Sequence, residues 1–164
     1  MKRKKVAQIK EVVEPKGFVT AKIEYKSGEV KHLAFPNTVL AKGREALAAS
    51  LANNIGDGFN FYVNRMVFGN GGTASGTTKY VASSRNGLFG ITQTSKPVIA
   101  AVDPNIHTQV VFTSVIGFGD AVGAVLNEMA LQMASGDLYS MVTFPDLTKT
   151  AQMQITWNWR LSFV

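Results

Sequence analysis

The chain has 164 residues and a net charge of +6, with 46% apolar residues, 17% charged residues and no cysteine. This is the composition of a globular chain, and at this length one domain buries roughly 70% of its unfolded surface. Disulfides and thiolate metal centres are excluded.

Charge is unevenly placed. Residues 1–35 hold nine Lys/Arg against four Glu, which leaves eight against seven for the remainder. Residues 1–16 therefore read as a basic amino-terminal arm, and 17–164 as a single domain. The start lacks an apolar h-region, so no signal peptide is expected. No 18-residue apolar run exists, because Asn127 and Glu128 interrupt residues 121–134, so no membrane span is expected either. Lys2, Arg3, Lys4 and Lys5 suit an acidic protein surface. No aromatic residue interleaves them as a stacking platform, so nucleic acid is not the expected partner.

Val19, Ala21, Ile23 and Tyr25 alternate with Thr20, Lys22, Glu24 and Lys26, the pattern of a two-faced strand. It runs into Ser27-Gly28, which suggests a two-residue hairpin turn. That register sets Tyr25 opposite Val30, Ile23 opposite His32, and the charge pairs Glu24–Lys31 and Lys26–Glu29 across the polar face. One helix is expected near 38–53. Asn37 or Thr38 would cap it, Leu40, Leu47 and Leu51 would form its stripe, and 53–56 would end it; Gly43 inside weakens it.

Residues 61–68 read as a strand. Residues 69–78, Gly-Asn-Gly-Gly-Thr-Ala-Ser-Gly-Thr-Thr, read as an exposed, mobile loop. Residues 79–105 read as irregular, with a turn at 85–89. Three more strands are expected at 106–116, 122–133 and 138–144, the last two joined through 134–137, after which Pro145 and Asp146 lead on. The clearest element closes the chain: Ala151, Met153, Ile155, Trp157, Trp159, Leu161 and Phe163 share one parity, and polar residues fill the other. Extended over 151–163 this strand spans roughly 44 Å. Six or seven strands and one helix give a mainly β fold, an antiparallel β-sandwich with Greek-key or jelly-roll-like connections and one covering helix.

Candidate chemistry is sparse. Gly69, Gly71 and Ala74 fit G-x-G-x-x-A, but no amphipathic helix follows to hold a phosphate. His32 and His107 have no second ligand at metal-binding spacing, the Asp residues are scattered through turns, and no nucleophile elbow is present. No catalytic, cofactor-binding or metal-ligating residue is assigned, and no enzyme is expected. Trp157 and Trp159 could stack on sugar rings, yet their parity with Met153 and Ile155 favours the core. Asn127 breaks an apolar parity, and a buried Asn needs backbone partners such as those at a bulge. Glu128 falls on the other face with Ala130 and Gln132, with Lys149 or Arg160 as candidate partners.

Five features occur together in residues 122–164: Asn127-Glu128, the Gly136 hairpin, Thr143-Phe144-Pro145, Lys149-Thr150 and the run from Ile155-Thr156-Trp157 to Phe163. This pattern resembles the carboxy-terminal part of small structural proteins of tailed bacteriophages. The stretch from Phe68 to Thr73 resembles, more loosely, the strand end that precedes a loop in them. The resemblance implies a virion component assembled in the host cytoplasm. The expected role is a capsid decoration (cement) protein that binds the major capsid protein or neighbouring subunits, repeated as a homo-oligomer in the particle. The basic arm (Lys2, Arg3, Lys4, Lys5) and the loop (Asn70, Gly71, Gly72, Thr73) are the expected contact residues. A tail, neck or baseplate adaptor closing into a ring is the alternative, and a nucleic-acid-binding module is a third reading.

Overall fold

The computed structural model describes residues 15–51 and 61–163. Twelve strands and one helix follow in order: β1 (Pro15–Tyr25), β2 (Val30–Pro36), β3 (Thr38–Val39), α1 (Ala41–Leu51), β4 (Val63–Gly69), β5 (Thr73–Ala74), β6 (Thr77–Thr78), β7 (Thr92–Pro97), β8 (Ile99–Val102), β9 (Gln109–Ile116), β10 (Val125–Met133), β11 (Leu138–Thr148) and β12 (Met153–Phe163). Two five-stranded antiparallel sheets form a sandwich, in the orders β2-β1-β12-β9-β8 and β3-β11-β10-β4-β7, with β5-β6 as a separate small hairpin. Pairing β9 with β12 in one sheet and β10 with β11 in the other folds one long hairpin across the core, a jelly-roll-like connection. The chain passes between sheets at Pro36-Asn37 and again at Pro97-Val98, where proline suits the end of a ladder.

β12 is the axis of the first sheet. It pairs along its whole length with β1, from Pro15 opposite Phe163 to Tyr25 opposite Met153, and on its other side with β9. Met153, Ile155, Trp157, Trp159 and Leu161 are buried, as their parity requires. Trp157 packs between Phe68 and Phe144 at centroid distances of 5.5 and 5.4 Å, so both tryptophans are core residues. A second, smaller core lies on the outer face of the other sheet, where Leu40, Val67, Val81, Ala130, Leu138 and Met141 meet Leu88 and Phe89. β10 is thus buried on both faces.

Several expectations need correction. The β1–β2 turn is a three-residue loop: the Tyr25 amide donates to Glu29 O, the Gly28 amide to Tyr25 O, and Gly28 sits at φ 91°. This is the bulged hairpin that a Gly at the left-handed position permits. The register shifts by one residue, so Glu24 faces Val30 and His32 faces Lys22 on the exposed side, not Ile23. The charges pair along their own strands instead, Lys22 with Glu24 at 2.8 Å and Lys31 with Glu29 at 3.2 Å.

The helix begins after Leu40, because Thr38–Val39 joins β11 as a strand and the Asn37 side chain bonds Ser140 rather than capping. Its buried face is Gly43 and Ala46, while Leu51 is 82% exposed. A Cβ at Gly43 would lie 2.4 Å from Tyr139 O, so this glycine is what lets the helix lie on β11. The expected end at 53–56 falls outside the described residues. Residues 79–105 hold β7 and β8 as well as the turn, and β11 continues through Pro145 and Asp146 to Thr148.

Candidate functional site

Asn127 and Glu128 occupy consecutive positions on β10, 3% and 0% exposed. The ladder to β11 shifts register between Leu126 and Glu128, so Asn127 sits at an irregularity where backbone groups come free. Its Oδ1 accepts the Gly72 amide at 2.7 Å. Its Nδ2 lies 3.2 Å from Asn70 O, 3.0 Å from Thr73 Oγ1 and 2.9 Å from Asp146 Oδ1. The structural role expected for Asn127 is the one it has.

Glu128 turns to the outer face, as its parity demands, but meets neither Lys149 nor Arg160. Its carboxylate accepts three backbone amides: Gly71 and Gly90 on Oε1, both at 2.8 Å, and Phe89 on Oε2 at 2.6 Å. Asn70 Oδ1 adds the Ile91 amide at 3.1 Å. Two chain segments that are remote in sequence, 70–73 and 89–91, are thereby tied side by side to one strand. Carboxylate-to-amide bonds are stronger than neutral ones, and a group this buried requires them.

Glycine makes the close approach possible. A Cβ at Gly72 would lie 2.1 Å from Asn127 O, and one at Gly71 would lie 2.2 Å from Gly90 N. The stretch 69–78 is therefore not a free loop throughout. Its first part is clasped, and β5 and β6 project from the clasp as a hairpin whose tip carries Ser75 and Gly76 at positive φ. Thr73 Oγ1 donates to Asp146 Oδ1 at 2.8 Å, and Thr143 Oγ1 donates to Lys79 O at 2.7 Å, which fixes the base of the hairpin. The bonds from Asn127 and Thr73 hold the Asp146 carboxyl below its usual range. Beyond the hairpin Tyr80 is 85% exposed, and the Phe89 ring carries the Arg85 guanidinium at 3.4 Å and the Lys79 ammonium at 5.0 Å from its centroid.

Of the contact residues named from sequence, Asn70 is exposed, Gly71 and Thr73 are half-buried and Gly72 is buried. The clasp brings these four together. Lys2, Arg3, Lys4 and Lys5 lie outside the described residues. The partners of the clasp that sequence did not reveal are Phe89, Gly90 and Asp146. The visible signal was two adjacent polar residues in the middle of a mostly apolar strand.

A second buried charge sits where Lys149-Thr150 was noted. Lys149 is fully buried, and its Nζ donates to Phe118 O at 3.2 Å and Thr150 O at 2.8 Å. Burial pushes its pKa down, while the charge of Asp120 pulls it back up. Asp120 itself pairs with Lys96 at 2.7 Å and accepts the Gly117 amide, and these bonds lower its pKa. Lys149 thus pins the turn between β9 and β10 as Glu128 pins the other two segments.

Among the described residues, no three His, Asp or Glu side chains converge to hold a metal ion, and no helix is long and apolar enough to cross a membrane. His32 and His107 are exposed and far from forming a pair, the latter bonded to Pro104 O at 3.0 Å. Comparison of the chain with protein-family models, with curated proteins and with solved structures returns no match.

Proposed function

We propose that this chain is a non-enzymatic structural protein of the tailed-bacteriophage virion, a decoration protein that binds capsid subunits and stabilises the shell. The observation that carries this reading is how the Asn127–Glu128 pair is used. A buried amide and a buried carboxylate are both turned to holding the base of a hairpin that projects to solvent. A chain whose buried polar side chains fix an exposed hairpin is suited to presenting a surface with a set shape.

Other features support the same direction. The pattern over residues 122–164 resembles structural proteins of such particles. Tyr80, Ile91 and Ile99 leave apolar area exposed, and Lys79 and Arg85 around Phe89 give a basic rim suited to an acidic shell. Lys2, Arg3, Lys4 and Lys5 extend that character along the arm.

A tail, neck or baseplate adaptor is the second reading, favoured by the uncharged outer strand β8, an edge from which a neighbouring subunit can extend a ring. Co-sedimentation with empty capsids separates the two. The decoration reading predicts that the protein travels with shells, and that replacing 74–77 by a shorter turn or removing residues 1–5 weakens binding. A ring that ignores shells overturns it, and binding indifferent to both changes overturns the assignment of contact residues.

A further inference from the structure

The sheet edges of this molecule are not alike. β2 carries Lys31, His32 and Pro36, β3 is two residues long, and β7 carries Lys96 and ends in Pro97. Charge, proline and brevity are the devices that keep an outer strand from pairing with another chain. β8 has neither charge nor proline. It reads Ile-Ala-Ala-Val, is exposed at all four residues and, among the described residues, pairs with β9 alone.

The backbone of β8 is presented in an orderly way. The Asp103 amide donates to Gln109 O at 2.8 Å, in register with the β8–β9 ladder. Successive residues of a strand direct their peptide groups to opposite sides, so Ile99 and Ala101 bond β9 while Ala100 and Val102 face the open edge. Ile99 is 77% exposed and Val102 57%, and Ile99 shares a shallow cavity of about 380 Å³ with Lys96, Pro97, Val98, Thr113, Ser114 and Val115.

Charge decides the kind of partner. A chain of net charge +6 draws acidic partners elsewhere, but this edge offers them nothing to grip. Lys96 at its rim already holds Asp120 at 2.7 Å, and Arg160 lies in the field of Asp103. What fits an uncharged apolar strand is another like it.

We propose that β8 is a self-association edge, at which two copies pair their β8 strands antiparallel and join their sheets into one. Keeping both outer faces on the same side requires a two-fold axis normal to the sheet, so each residue meets one of its own parity. Centring the axis on Ala101 lets Ala100 of each copy bond Val102 of the other, without competing for the Val98 amide, which already donates to Asn64 O at 3.1 Å. Ala101 then faces itself as a non-hydrogen-bonded pair, where small side chains let the strands close. A four-residue edge makes a small interface, of the weak class that forms at high local concentration. The inference stands whether or not the chain also binds a capsid.

The chain has no cysteine, so single-cysteine variants read the geometry directly. Ala101→Cys, exposed on β8, is compared with Ala34→Cys, exposed on the guarded edge β2. Under mild oxidation Ala101→Cys is expected to form disulfide-linked dimers at least about ten-fold faster, because pairing raises the effective thiol concentration. Light scattering should show wild-type dimer growing with protein concentration and with salt, which screens repulsion between two basic copies. Val102→Lys should remain monomeric with unchanged far-UV circular dichroism. Equal crosslinking rates for the two cysteine variants, or wild-type monomer throughout, overturns the proposal.

Discussion

Glu128 accepts amides from residues 57, 39 and 38 positions away, so one side chain determines where two remote glycine-containing segments lie. Replacing it by Gln tests whether acceptance or mere size matters. The amide keeps one acceptor oxygen, but its NH2 faces an N–H donor, leaving a buried donor unpaired at a cost of about 1–3 kcal/mol. Glu128→Gln is therefore expected to lower stability to denaturant by that amount and to speed hydrogen exchange at Gly71, Phe89 or Gly90. Stability and exchange equal to wild type would show that the clasp does not hold the loops. The pair was legible in sequence as a polar interruption of an apolar strand. Its partners were not, because periodicity describes a strand's own faces and carries no information on which distant amides arrive there.

At the scale of elements, legibility followed length. β12 alternates for eleven residues and could be read as a buried-face strand without its neighbours. β3, β7 and β8 are two, six and four residues long, too short for a period to stand out. The β1–β2 register was misplaced by one residue because cross-strand charge pairing favours the two-residue turn, whereas the bulge at Gly28 sets Glu24 opposite Val30 and Ile23 opposite Lys31. The helix was found, but its buried face was misread, since a glycine and an alanine do the packing where leucines were expected. That packing gives a test with a sign. In an exposed helix interior Gly→Ala adds about 1 kcal/mol of stability. Here the added Cβ meets Tyr139 O at 2.4 Å, so Gly43→Ala is expected to destabilise, as an overpacked contact costs about 1–3 kcal/mol. A raised melting temperature for Gly43→Ala would contradict the docking of α1 on β11.

Among the described residues four carboxylates share a direction, one of them Glu24, held down first by its bond from Lys22. Asp103 is held down first by the Asn105 amide, Asp120 by Lys96 and Asp146 by Asn127, so each has a folded pKa below its ordinary value. Such groups stabilise the fold above the unfolded value of about 3.9, and lose that contribution as pH falls through their lowered folded values. Thermal scans should therefore be flat in this respect above about pH 5 and decline on further acidification. Asp120→Asn should flatten part of that decline, and an unchanged acid limb would remove Asp120 from the account. Lys149 enters as a penalty rather than a gain, with the same pH direction: its lowered folded pKa means that the cost of its buried charge is relieved as pH rises toward the unfolded value.

The antiparallel sandwich was readable from the alternation of its long strands and from one short helix, whereas the passages between sheets at Pro36-Asn37 and Pro97-Val98 were not. A proline in sequence marks a strand's end without saying which sheet receives the chain next. The central claim is that this sandwich presents its clasped hairpin to a viral shell. The most direct measurement is a thermal scan of empty capsids with and without saturating protein. The account predicts that shells carrying the protein melt at a higher temperature, and that removal of the hairpin tip abolishes the increase. Shells that melt identically with and without it, beside a free protein closed into a stable ring, would contradict the account.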